Sequence, residues 1–139
     1  MVSKVALHEA AHVLAAVGHG IGVQHVSIDA GEVILAPPGD YLEQGQHHGA
    51  VAAAYAITAL AGQAAAPETG VSESDQLLLR HALFLASWTD PPGDMHRAIS
   101  AAAECFAVDH RQEIERLAII LDERRCLTGA EIAEVISGQ

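Results

Sequence analysis

Aromatic side chains are scarce in this chain: one Trp, two Tyr and two Phe make up 4% of 139 residues. Half of the residues are nevertheless hydrophobic, so the apolar content is carried by Ala, Leu, Ile and Val. That favours close-packed helices built around small side chains. Basic residues are also few, with 7 Lys and Arg against 18 Asp and Glu for a formal net charge of −11. A nucleic-acid binder needs a basic footprint, and docking on an anionic membrane needs the same, so both partner classes are excluded. The two cysteines, Cys105 and Cys126, are too few for a disulfide framework and read as buried or reduced thiols of a cytoplasmic protein.

Long apolar runs are missing too. The longest, Gly49 to Ala66, is mostly Ala and is interrupted by Thr58 and Gln63. A membrane span needs about 20 predominantly apolar residues, so this segment is expected to be a buried core helix, with no membrane span. The N-terminus carries one Lys before the first helix and shows no secretory signal. The length suits one domain over 1–139.

What is present is a helical pattern with a small sheet. Ser3 is placed to cap a helix whose apolar pattern runs through Val5, Leu14 and Val17 and ends at Gly18 and Gly20. Val23 to Ile28 and Gly31 to Leu35 are β-branched runs parted by a turn, and read as two paired strands. Pro37, Pro38 and Gly39 end the second, and Asp40 to His48 reads as polar loop. A helix over Ala50 to Ala66 stops before Pro67, and Pro67 to Ser74 reads as loop. The next helix starts near Ser72 or Ser74 and runs to Trp88, ended by Asp90-Pro91-Pro92-Gly93. From Asp94 the chain is helical to Arg125 with a break near Asp109-His110, and Thr128-Gly129-Ala130-Glu131 is a capping box that opens a terminal helix.

Within the first helix His8-Glu9-Ala10-Ala11-His12 spells H-E-x-x-H. Residues four apart lie on one helix face roughly 5–6 Å from each other, so the two imidazoles can share one Zn²⁺. Glu9 points off that line and can act as a general base toward a water activated by the metal. With nine His in the chain some i,i+4 pair is unsurprising, but the intervening Glu is rarer. A catalytic zinc takes three protein ligands. The long metzincin motif fails, because Ala15 and Gly18 stand where Gly and His belong and His19 is one place out of register. Glu32 and Glu43 lie at usable spacings, in a strand and a loop respectively.

The chain resembles the peptidase domain of FtsH-type ATP-dependent zinc proteases. Val5 to Ala15 is similar to that family's H-E-A-G-H helix, and Val26-Ser27-Ile28 to the strand after it. Ala59-Leu60-Ala61-Gly62-Gln63-Ala64-Ala65 is similar to A-L-x-G-R-A-A, and Thr69 to Leu77 to T-G-A-x-N-D-L, whose Asp is the family's third zinc ligand. Leu127 to Ile132 is similar to the final L-x-G-x-E-I. The resemblance covers nearly the whole chain with its motifs in order. It implies a mainly α fold with a small β-sheet, zinc held by His8, His12 and Asp75, and Glu9 as the base. Ala11 replaces a Gly and Gln63 an Arg of the family pattern, and Ala66-Pro67 interrupts its acidic continuation. No ATPase module or membrane anchor accompanies these segments, so the expected substrate is an unfolded polypeptide. A separate ATPase or adaptor chain, or a homo-oligomer, is compatible with this reading.

Two readings compete with the enzyme. Ser72 and Asp75 have the spacing of a helix-start pair, with Asp favoured at the positive end of the helix dipole. A non-catalytic metal-binding regulator would keep the same fold, although it has no chemical reason to keep Glu9. Glu68 and Glu73 stand where a carboxylate could orient a ligand His, as metal sites usually require. Trp88 and Tyr55 read as core. His19, His25, His47, His48, His81, His96 and His110 read as surface or supporting groups, with His47-His48 the best second candidate for a metal.

Overall fold

A computed structural model describes residues 2–86 and 93–138. The chain runs α1 (Lys4–Gly18), β1 (Val23–Ser27), β2 (Glu32–Leu35), α2 (Pro38–Glu43), α3 (His48–Ala65), a 3₁₀ turn (Pro67–Thr69), α4 (Glu73–Leu85), α5 (Asp94–Asp109), α6 (Arg111–Arg124), β3 (Cys126–Thr128) and α7 (Gly129–Ser137). The expectation of a mainly helical fold with a small sheet holds for the described residues.

Helix α1 starts where a side chain can replace the missing helical acceptor: Ser3 Oγ accepts from the Ala6 N–H at 3.1 Å. Ser3 in turn donates through N and Oγ to Asp122 of α6, at 2.7 and 2.6 Å. Ala6, Ala10, Ala11, Ala15 and Ala16 are fully buried along α1, as are Ala52, Ala56, Ala59 and Ala61 of α3, the helix packed against it. Small residues on both faces let the two helix backbones approach closely, which matters because the site lies between them. Val5 and Val17, two members of the expected apolar pattern, lie on the exposed side. The buried arc instead takes in His8, Glu9 and His12.

The sheet is antiparallel in the order β2-β1-β3. The turn between β1 and β2 closes at Gly31 with φ +64°, a conformation that suits a residue without Cβ. Two apolar clusters flank α1. One joins α1 to the sheet and α6 through Val13, Val26, Ile114, Leu117, Leu121 and Leu127. The other joins its C-terminal half to α3, α4 and α5 through Ala16, Ile21, Tyr55, Leu60, Ala82 and Ile99. Tyr55 is core, as its sequence context predicts.

Several expectations change. Asp40 to His48 is not all loop: Pro38 occupies the first turn of α2, where its fixed φ suits a helix start and its missing N–H costs nothing. Six residues are too short to display a helical period. Helix α3 starts at His48, ahead of Ala50, because the His47 side chain accepts from the Gly49 and Ala50 N–H groups. The sequence pattern held no sign of β3, a three-residue strand created by pairing with β1. Arg125 turns the chain into β3 at φ +67°, with its guanidinium on Asp29 at 2.6 Å. Cys105 and Cys126 are free and exposed, so of the two expected states, buried or reduced, burial is not the one found. Helix α4 ends at Leu85, and the predicted continuation to Trp88 and the Asp90-Pro91-Pro92 stop lie outside the described residues. The break at His110 and the Thr128–Glu131 capping box are as expected. No helix among the described residues is long and apolar enough to cross a membrane.

Candidate metal centre

One turn of α1 aims two imidazoles at the same point. His8 Nε2 and His12 Nε2 lie 3.0 Å apart, although both residues are buried. Asp75, in the first turn of α4, closes a triangle with them: its Oδ2 is 3.1 Å from His8 Nε2 and 3.2 Å from His12 Nε2. Asp75 lies 63 residues beyond His12 in sequence, and α3 packs against both α1 and α4 to bring the carboxylate to the imidazoles.

Hydrogen bonds on the far side of each ring define what faces inward. His12 Nδ1 sits 2.7 Å from the Thr58 main-chain carbonyl, which can only accept, so Nδ1 carries a hydrogen and, in the neutral ring, Nε2 presents a lone pair. His8 Nδ1 meets the Thr69 hydroxyl at 2.6 Å. Lone pairs converging with a carboxylate oxygen repel one another unless a cation lies among them.

The spacing suits such a cation. Metal–nitrogen and metal–oxygen bonds of roughly 2.0–2.2 Å at the tetrahedral angle put neighbouring donor atoms about 3.3–3.6 Å apart, a little wider than the triangle. The observed sides of the triangle are 3.0, 3.1 and 3.2 Å. Two imidazoles and one carboxylate are a donor set that zinc accepts, and a three-donor face leaves a fourth position free. The residues therefore fit the group.

Space is also kept clear. Gly62 of α3 faces the two rings, and a Cβ built on it would lie 2.5 Å from His12 Nε2 and 2.6 Å from His8 Nε2. Real Cβ atoms do not sit that close, so any larger residue would fill the place where the donors converge.

Glu9 lies beside the triangle rather than in it, with Oε1 3.8 Å from His8 Nε2. Burial pushes its carboxyl above the ordinary value, against the opposing pull of His12 and His8. Burial would push the Asp75 carboxyl up as well, but its hydrogen bonds and charge contacts with His12 and His8 hold it well below the usual carboxylate range. Burial by itself lowers the His12 imidazole, yet the Asp75 hydrogen bond and the charges of Asp75 and Glu9 leave it raised.

All four sequence-predicted site residues, His8, Glu9, His12 and Asp75, meet at one place. Asp75 is also the helix-start residue of the competing reading: its N–H donates to Ser72 Oγ at 3.1 Å while its side chain reaches the imidazoles. Glu32 begins β2 and Glu43 ends α2, both exposed, and neither joins the group of donor atoms that His8, Glu9 and His12 form. Glu68 pairs with Lys4 at 3.6 Å, and Glu73 is exposed at the start of α4. The groups that support the two rings are Thr69 and the Thr58 carbonyl instead. His47 caps α3, His19 Nδ1 donates to the Ala15 carbonyl at 2.7 Å, and His110 stacks on Phe106 at 4.5 Å. Sequence reasoning missed Gly62, Thr58 and Thr69. A Gly inside an otherwise Ala-rich helix is the one signal that pointed to a close approach. Compared with protein-family models and with curated proteins, the chain matches none.

Proposed function

We propose that this chain is a zinc-dependent metallopeptidase of the FtsH peptidase-domain type, acting on unfolded polypeptides. The observation that carries the reading is the triangle of His8 Nε2, His12 Nε2 and Asp75 Oδ2, with sides of 3.0–3.2 Å and a buried carboxylate beside it. When bound, zinc would supply Lewis acidity, making water a better nucleophile and polarising a carbonyl. His8, His12 and Asp75 would hold it. Glu9 would take the proton of the attacking water and deliver it to the leaving amine. Its raised pKa suits that work, since a carboxylate held above its ordinary value keeps a proton longer before passing it on.

The substrate would lie extended along β2. Among the described residues that strand pairs with β1 alone and leaves its outer edge open, and an open edge offers main-chain groups to a peptide strand. An ATPase or adaptor would be needed to present folded substrates. We assign the protein to the cytoplasm, where exposed thiols such as Cys105 and Cys126 stay reduced.

The test is metal analysis of protein purified without added zinc, followed by digestion of casein. The expected result is about one zinc per chain, as for a three-ligand catalytic site, and cleavage that a chelator stops and zinc restores. Protein that neither retains nor takes up zinc would overturn the reading.

A further inference from the structure

We infer that Thr69 is a positioning residue that fixes the ring state of His8, so that Nε2 rather than Nδ1 presents its lone pair to the metal. The inference rests on the metal reading above but concerns a residue outside the ligand set. Thr69 ends the 3₁₀ turn that links α3 to α4, the helix bearing Asp75. Its Oγ donates to the Ala66 main-chain carbonyl at 2.7 Å. A hydroxyl has one hydrogen, and a carbonyl can only accept. The same oxygen, 2.6 Å from His8 Nδ1, must therefore accept from that nitrogen. His8 then carries its hydrogen on Nδ1. Were the hydrogen on Nε2, it would point into the triangle, toward His12 Nε2 at 3.0 Å and Asp75 Oδ2 at 3.1 Å, where it would compete with a metal.

Thr58 does the same for His12, but with a main-chain carbonyl that no substitution can remove. At His8 the task falls to a replaceable side chain. Thr69 is exposed while His8 is buried, so the hydroxyl is also the boundary between the ring and water. Thr69→Val keeps the shape and puts a methyl where the oxygen stands, which denies Nδ1 both the hydroxyl and a substituting water. Thr69→Ser keeps the oxygen.

The experiment uses two readouts on the full chain. Ring nitrogen signals of zinc-free, ¹⁵N-histidine-labelled protein at pH 8 report which nitrogen of His8 carries hydrogen. Competition with a chromophoric chelator reports zinc affinity, and circular dichroism checks that each variant keeps its helices. In wild type and Thr69→Ser the hydrogen is expected on Nδ1. In Thr69→Val it is expected to move to Nε2, with zinc affinity falling about 10–100-fold, the range for loss of a group that supports a ligand histidine. Equal zinc affinity in folded wild type and Thr69→Val, or an unchanged His8 ring state, would overturn the inference. So would a loss in Thr69→Ser as large as in Thr69→Val. Wild type that binds no zinc, yet loses the Nδ1 hydrogen only in Thr69→Val, would overturn the metal reading and leave the positioning role of Thr69 standing.

Discussion

Gly62 of α3 stands so close to His12 of α1 that a Cβ on it would lie 2.5 Å from the His12 Nε2 atom. Both helices carry buried alanines near this point, and α1 packs directly on α3. Gly62→Ala should therefore shut out the metal rather than unfold the chain. In an exposed helix interior Ala would be about 1 kcal/mol better than Gly, and here the clash is expected to cancel that gain. Zinc content should fall below a tenth of wild type while the helical circular dichroism signal is kept. Full zinc occupancy in Gly62→Ala would show that the metal does not lie where the two imidazoles converge.

Asp75 has two jobs that substitution can separate. Its N–H belongs to the Ser72 cap, which survives any side-chain change, whereas its Oδ2 closes the donor triangle. Asp75→Ala should lose zinc and activity, and Ser72→Ala should cost about 0.5–2 kcal/mol of stability and leave the metal in place. Metal analysis and urea unfolding of the two variants check this. Wild-type zinc affinity in Asp75→Ala would leave the residue a helix-start group alone and reopen the search for a third ligand.

Glu9→Gln separates a peptidase from a metal-binding regulator. The amide keeps the size of the side chain but cannot take a proton from water, and Glu9 is not a corner of the triangle. Zinc content should be unchanged, while cleavage of an unfolded protein should fall by the 10²–10⁴-fold typical of general-base loss. Wild type and Glu9→Gln equally inert with zinc bound would favour the regulator. Equal activity in both would place the base elsewhere.

Acid should loosen the tie between α1 and α6. Asp122 accepts from Ser3 Oγ and N, and the Ser3 hydroxyl bond above all holds its carboxyl below the ordinary 3.8. A carboxyl depressed on folding contributes its full stability above the unfolded value and loses it as pH falls through the folded one. Allowing for the exposure of the pair, Asp122→Ala should cost about 1 kcal/mol at pH 7. The gap between wild type and variant in urea midpoint should narrow as pH is lowered from 4 through the folded value. A gap that stays constant down to acid unfolding would show that the charge of Asp122 contributes nothing.

Local spacing explains what could be read without coordinates. His8, Glu9 and His12 sit within one helical turn and a half, so their geometry follows from the helix itself. The Ser3 cap and the Thr128–Glu131 box are likewise short-range patterns, and the Gly31 turn separates two recognisable strands. Asp75 was reached through a family resemblance; nothing about its own neighbourhood tells a ligand carboxylate from a helix-start carboxylate.

The amino-acid sequence by itself determined the helical, Ala-rich character of the chain and two imidazoles and a carboxylate along α1. Tertiary structure alone decided that Asp75 closes the triangle, that Gly62 leaves room for it, and that Thr58 and Thr69 hold the rings. It also decided β3, three residues that become a strand only by pairing with β1. The physical reason is shared. A helix repeats every 3.6 residues and writes its faces into the sequence, whereas a main-chain carbonyl, a missing Cβ or an unpaired edge acquires meaning only from what packs against it.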